Sequence, residues 1–91
     1  MNKRRDRLQV IHDILKTISD KNGKIKPTHI LYKSNLSHHM MDEYLKELIE
    51  KNFIKENKEK KGRTYSITNV GRRFIDEYKL VQRFTESFGL T

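Results

Sequence analysis

At 91 residues, with 34% apolar and 35% charged side chains, the chain has room for one small hydrophobic core. It contains no cysteine, which excludes a disulfide framework, a thiolate metal site and a cysteine nucleophile. Twenty Lys and Arg against twelve Asp and Glu give a net charge of +8 and an isoelectric point near 9.8, a balance that points to a polyanionic partner. No apolar run approaches the roughly 20 residues a bilayer span needs. The charged start, Lys3-Arg4-Arg5-Asp6-Arg7, is unlike a secretory signal. The expectation is an intracellular, cytoplasmic domain with no membrane partner.

Divided along the chain, residues 1–33 carry a net of +6, residues 34–52 a net of −2, residues 53–66 a net of +3 and residues 67–91 a net of +1. This places the basic character at an amino-terminal arm and in a segment near residue 60. Two separated basic clusters suit a polyanion touched at two places.

The first periodic stretch predicts a helix from about Lys3 to Asp20, with Leu8, Ile11, Leu15 and Ile18 on one face and Val10 and Ile14 widening the stripe. Its first turn is crowded with cations of the wrong sign for the helix dipole, so these are expected to face something anionic. Asn22-Gly23 ends it. Pro27 suits the first turn of a short helix to about Lys33, which Ser34-Asn35 breaks. Ser37 is positioned as N-cap of a third helix over 38–51, with Met41, Tyr44, Leu45 and Leu48 on one face and His39, Glu43, Lys46 and Glu50 on the other. Two helices joined by a short turn make a helix-turn-helix candidate.

The period then changes to that of strands. Residues 53–56 and 63–67 flank a polar tip, Asn57 to Gly62, and predict a β-hairpin in which Tyr65 and Ile67 alternate with Thr64 and Ser66. Thr68 caps a last helix to about Gly89. Phe74, Val81 and Phe88 recur every seven residues there, with Tyr78 and Phe84 close to the same face. That is more apolar surface than so small a domain covers by itself, so Phe74, Tyr78, Val81, Phe84 and Phe88 are the expected interface with a partner helix. The fold class is mainly α with a small β-hairpin. Residues 1–67 form the helix-turn-helix and its hairpin, and residues 68–91 the added helix, within one domain.

The run Thr28-His29-Ile30-Leu31-Tyr32-Lys33-Ser34-Asn35-Leu36-Ser37 resembles the signature of archaeal winged helix-turn-helix proteins, among them a small basic ten-kilodalton chromatin-associated type. Leu45, Leu48, Phe53, Ile54, Tyr65, Ile67, Thr68 and Gly71 continue the match. The resemblance implies double-stranded DNA binding, with the third helix in the major groove and the hairpin wing on the backbone. It also implies a homodimer joined by antiparallel carboxy-terminal helices, acting as a transcriptional regulator or a nucleoid-associated protein.

Phosphates would be neutralised by Lys3, Arg4, Arg5 and Arg7 on the arm and by Lys58, Lys60, Lys61 and Arg63 on the wing. Arginines hold phosphates with two hydrogen bonds or enter a narrow minor groove. Asn35 and Ser37 are short polar groups placed to donate to the backbone, and His38, His39, Asp42, Glu43 and Lys46 are the candidate base readers. Asp42 and Glu43 put negative charge on that face and no arginine lies on this helix, which weighs against strong guanine readout. The alternative is a winged-helix module that docks a protein through its acidic third helix.

Metal binding and catalysis are not expected. His38 and His39 point about 100° apart on a helix and chelate poorly together, and no i, i+4 carboxylate joins the histidines into a ligand set. No Gly-rich phosphate loop or nucleophile elbow is present, and no cofactor is implied. Either His38 or His39 could make a pH-sensitive contact with DNA.

Overall fold

The computed structural model describes residues 5–21 and 23–90. Six elements follow in chain order: α1 (Arg7–Asp20), α2 (Pro27–Ser34), α3 (His38–Glu50), β1 (Ile54–Glu59), β2 (Gly62–Ile67) and α4 (Asn69–Ser87).

Helix α1 begins later than its periodicity suggests. The Asp6 carboxylate accepts from the Gln9 amide at 2.8 Å and caps the helix, so Arg7 is its first residue. Arg5 therefore lies upstream of the helix, and Lys3 and Arg4 fall outside the described residues. The cap also resolves the dipole conflict, because an anion now occupies the helix start. Val10, Ile11, Ile14, Leu15 and Ile18 are buried, whereas Leu8 is 51% exposed.

Pro27 opens α2, whose first amide needs no intrahelical partner. Asn35 ends it at φ 54°, a left-handed conformation that asparagine tolerates better than most residues. The Ser37 side chain then accepts from the Met40 amide at 3.2 Å and starts α3, which buries Met41, Leu45 and Leu48 and half-buries Tyr44.

The hairpin reaches further than the polar tip implied. Strands β1 and β2 pair antiparallel from Ile54 opposite Ile67 to Glu59 opposite Gly62, leaving Lys60-Lys61 as the two-residue turn. Gly62, at φ 127°, adopts a conformation closed to most side chains. The alternation within β2 is imperfect, since Thr64 is buried beside Tyr65. The reason lies elsewhere in the chain. Ile25 bridges Tyr65, with the Ile25 amide donating to the Tyr65 carbonyl at 3.0 Å and the Tyr65 amide returning the bond at 2.8 Å. A one-residue third strand thus covers the edge of β2.

Thr68 caps α4 by accepting from the Gly71 amide at 3.1 Å, while its hydroxyl lies 2.7 Å from the Asn52 carbonyl oxygen. One continuous core unites Ile14, Leu15 and Ile18 of α1 with Ile25, Ile30, Leu45, Leu48, Ile54, Tyr65 and Ile75. Each large apolar side chain fully buried there contributes roughly 1.5–3 kcal/mol. Helix α4 supplies little of it, burying only Gly71 and Ile75 among the described residues. No helix among the described residues is long and apolar enough to cross a membrane.

Candidate nucleic-acid interface

Helix α3 presents His38, His39, Asp42, Glu43 and Lys46 to solvent. Its one lysine stands among four carboxylates, a net of −3 from His38 to Glu50. His39 Nε2 lies 2.6 Å from Glu43 Oε1, so two of the expected base readers engage each other. That pairing has the i, i+4 spacing of helix neighbours and involves one histidine only. Among the described residues no group of three His, Asp or Glu side chains gathers as a metal site. Ser37 is committed to capping α3, and Asn35 forms the left-handed corner of the turn.

Between α3 and the hairpin runs a groove lined by Asp42, Leu45, Lys46, Ile49, Glu56, Arg63 and Tyr65. Arg63 reaches Glu56 across the sheet at 3.4 Å, and the Tyr65 hydroxyl donates to the same carboxylate at 3.4 Å. Burial pushes the Tyr65 phenol above its ordinary value; Arg63 opposes this and Glu56 reinforces it. Arg63 is thus tied into the wing. Lys58, Lys60 and Lys61 are exposed, and among the described residues none has a carboxylate within 4 Å.

The arm differs from expectation. Arg5 donates to Asp13 at 2.8 Å, to the Ser34 carbonyl at 2.8 Å and to the Asn35 carbonyl at 3.3 Å. It fastens the segment before α1 to the helix-turn-helix corner instead of projecting to solvent. Arg7 pairs with Glu47 of α3 and sits 5.9 Å above the Tyr44 ring. Both described arm arginines are therefore satisfied within the fold. The positive charge of the first 33 residues is divided between two stretches: residues 1–20 net +2, and the 13 residues from Lys21 to Lys33 hold four lysines and no acid.

The apolar stripe of α4 divides in two. Phe74 packs 5.7 Å from Phe53 and 5.8 Å from Tyr78. Tyr78 stacks on His12 at 4.9 Å, and its hydroxyl donates to the Gln9 side chain at 3.0 Å. Burial, with Asp6 and Asp13 adding to it, pushes the Tyr78 phenol up. These two residues pack against α1 and the hairpin base and are half-buried there. Val81, Phe84 and Phe88 remain 57%, 61% and 66% exposed, with Leu80 and Leu90 beside them.

A helix-turn-helix whose second helix is followed by a basic antiparallel hairpin defines a winged-helix domain, here with a long helix added. A sequence profile described as Winged helix-turn-helix matches residues 4–86, and the chain belongs to that family. It is 36% identical over 80 residues to the uncharacterized protein MJ0287 of Methanocaldococcus jannaschii, covering 87% of this chain and 76% of that one. In fold it is similar to Sso10a-2, a DNA-binding protein from Sulfolobus solfataricus, with a TM-score of 0.81 at 19% identity over 92% of this chain and 85% of that one. It is similar as well to F93 from STIV, a winged-helix DNA-binding protein, with a TM-score of 0.71 at 16% identity, covering 90% and 92% of the two chains.

Proposed function

We propose that this chain is a duplex-DNA-binding protein that acts as a homodimer, either as a transcriptional regulator or as a nucleoid-associated protein. One observation carries the reading: an exposed polar face of α3 stands beside a wing whose Lys58, Lys60 and Lys61 have no acidic partner among the described residues. The helix enters the major groove and the wing lysines meet backbone phosphates. Both structural relatives named above are DNA-binding proteins, which supports the same reading.

Affinity in this scheme comes from counterion release, and sequence readout is modest. An α3 with no arginine lacks the two-pronged contact to guanine, and pairing between His39 and Glu43 removes two readers. Asp42 can accept from a cytosine amino group; Lys46 can reach guanine or a phosphate. The second copy docks along the distal half of α4, where Val81, Phe84 and Phe88 leave an apolar surface uncovered.

Titration of the protein into a random-sequence duplex at several salt concentrations, with single-stranded DNA alongside, tests the proposal. Duplex binding that weakens steeply with salt is the expected outcome. Negligible binding at low salt would overturn it. The −3 charge of α3 would then favour docking of that helix on a basic protein partner.

A further inference from the structure

We infer that a second phosphate-contact surface, separate from α3 and the wing tip, is formed by Lys21, Lys26 and Lys33 together with Tyr32. The inference rests on the DNA-binding reading and extends it to a surface formed by the α1–α2 connection and α2.

The connection between α1 and α2 is a held piece of backbone. Ile25 is buried and exchanges two hydrogen bonds with Tyr65, so its flanking residues are fixed in extended conformation. Side chains alternate across an extended segment. Because Ile25 points into the core, Lys24 and Lys26 both point away from it. Lys21 ends α1 and Lys33 lies in the last turn of α2. These lysines, with Thr28, His29 and Tyr32, wall an open depression of about 510 Å³.

Charge in this depression is only partly compensated. Lys24 pairs with Glu59 of the wing, and Asp20 at the neighbouring rim is held by Lys16 at 2.9 Å. Among the described residues, Lys21, Lys26 and Lys33 have no carboxylate within 4 Å. Tyr32 stands 82% exposed at the same wall, a large ring that contributes nothing to the core. Its hydroxyl can donate to a phosphate oxygen and its face can meet a sugar.

Several features favour a nucleic-acid backbone over a small anion. The cations are spread over two helices and the segment between them, and the depression is open. A single phosphate would engage one or two of these lysines, whereas a chain of regularly spaced phosphates engages all of them. The Lys24–Glu59 pair also joins this rim to the wing, so the surface continues toward Lys58, Lys60 and Lys61.

The test compares the full chain with two triple variants in duplex titrations across salt. One is Lys21→Gln/Lys26→Gln/Lys33→Gln; the other, Arg72→Gln/Arg73→Gln/Lys79→Gln on α4, removes the same charge elsewhere. Each phosphate contact contributes roughly 0.9 to the slope of log affinity against log salt. The first variant is expected to lose about 2–3 units of that slope and to bind at least about tenfold more weakly at low salt. The α4 variant should stay close to the parent. Circular dichroism melts confirm that each variant is folded. A parent that binds while the first variant keeps its slope and affinity overturns the inference and leaves the DNA reading intact, as does an equal loss in both variants. A parent that does not bind duplex overturns both.

Discussion

Arg5 engages three oxygens at once, and two of them are backbone carbonyls at the corner between α2 and α3. A helix leaves its last carbonyls without amide partners, and a guanidinium is suited to satisfying two of them together. Replacing Arg5 by Ala is expected to cost about 1–2 kcal/mol, since the guanidinium is partly solvated, and to loosen the turn that sets α3. Thermal melts would read the loss. Gly71 serves a different purpose: a Cβ there would stand 2.4 Å from the Phe53 carbonyl oxygen and 2.7 Å from Ile67. Gly71→Ala should destabilise by about 1–3 kcal/mol because the close partner is backbone and cannot swing aside. Tyr65 and Tyr78 give the fold an alkaline limit. Both phenols titrate above the ordinary 10.0, chiefly because burial disfavours the anion. A raised folded-state value means that their contribution is complete below about pH 10 and is lost as pH rises through the folded values. Melting temperature should therefore fall with rising alkalinity, and Tyr65→Phe should make that fall shallower despite losing the bond to Glu56.

Among the elements, α3 and α4 are each anchored on one side and exposed on the other. Leu45 is the middle of the three buried positions of α3, and Leu45→Ala should cost about 2–5 kcal/mol in chemical denaturation. Removing the wing lysines together, Lys58, Lys60 and Lys61 to Ala, should weaken DNA binding across all sequences without unfolding the protein, since all three side chains are solvent-exposed at the end of β1 and in the turn. Helix α4 calls for a distinction that its heptad spacing does not make. Aspartate at Phe74 would be expected to damage the fold, because that ring packs on Phe53 and Tyr78. Aspartate at Val81 and Phe84 should leave the domain folded and, in sedimentation, convert a dimer to a monomer; a variant that still sediments as a dimer would exclude this half of α4 as the interface.

For the whole molecule, the placement of charge matters more than its total. The +8 is spread unevenly: an acidic α3, Arg5 and Arg7 paired with Asp13 and Glu47, and, among the described residues, lysines without a carboxylate partner on the wing and at Lys21, Lys26 and Lys33. Such a surface draws a polyanion to the flanks of α3 more strongly than to α3 itself, consistent with affinity dominated by phosphates and with weak base readout. The principal extents of 49 × 29 × 21 Å describe an elongated chain with α4 as its longest helix. Exposed apolar residues at the end of that helix and cations elsewhere separate the surface proposed for self-association from the one proposed for DNA.

Local chemistry made most of the elements legible. Ser37 and Thr68 are caps because a short hydroxyl side chain satisfies an orphan amide, and both start their helices where the sequence placed them. The apolar spacings of α1 and α3, the break at Asn35 and the hairpin are likewise properties of neighbours a few residues apart. The tertiary structure decided whatever depends on residues far apart in the chain. Arg5 meets Ser34 at a separation of 29 residues, Arg7 meets Glu47 at 40 and Tyr78 meets Gln9 at 69. No periodicity encodes such pairings. They determine which arginines are already paired, which aromatic rings of α4 are already in contact with the fold, and that Ile25 bridges β2 and turns its lysine neighbours outward. The sequence by itself determined the composition of the surface, its net positive charge and its order of helices and hairpin. Packing alone decided which of those charges and rings remain available to a partner, because a side chain's availability is set by what the rest of the chain brings against it.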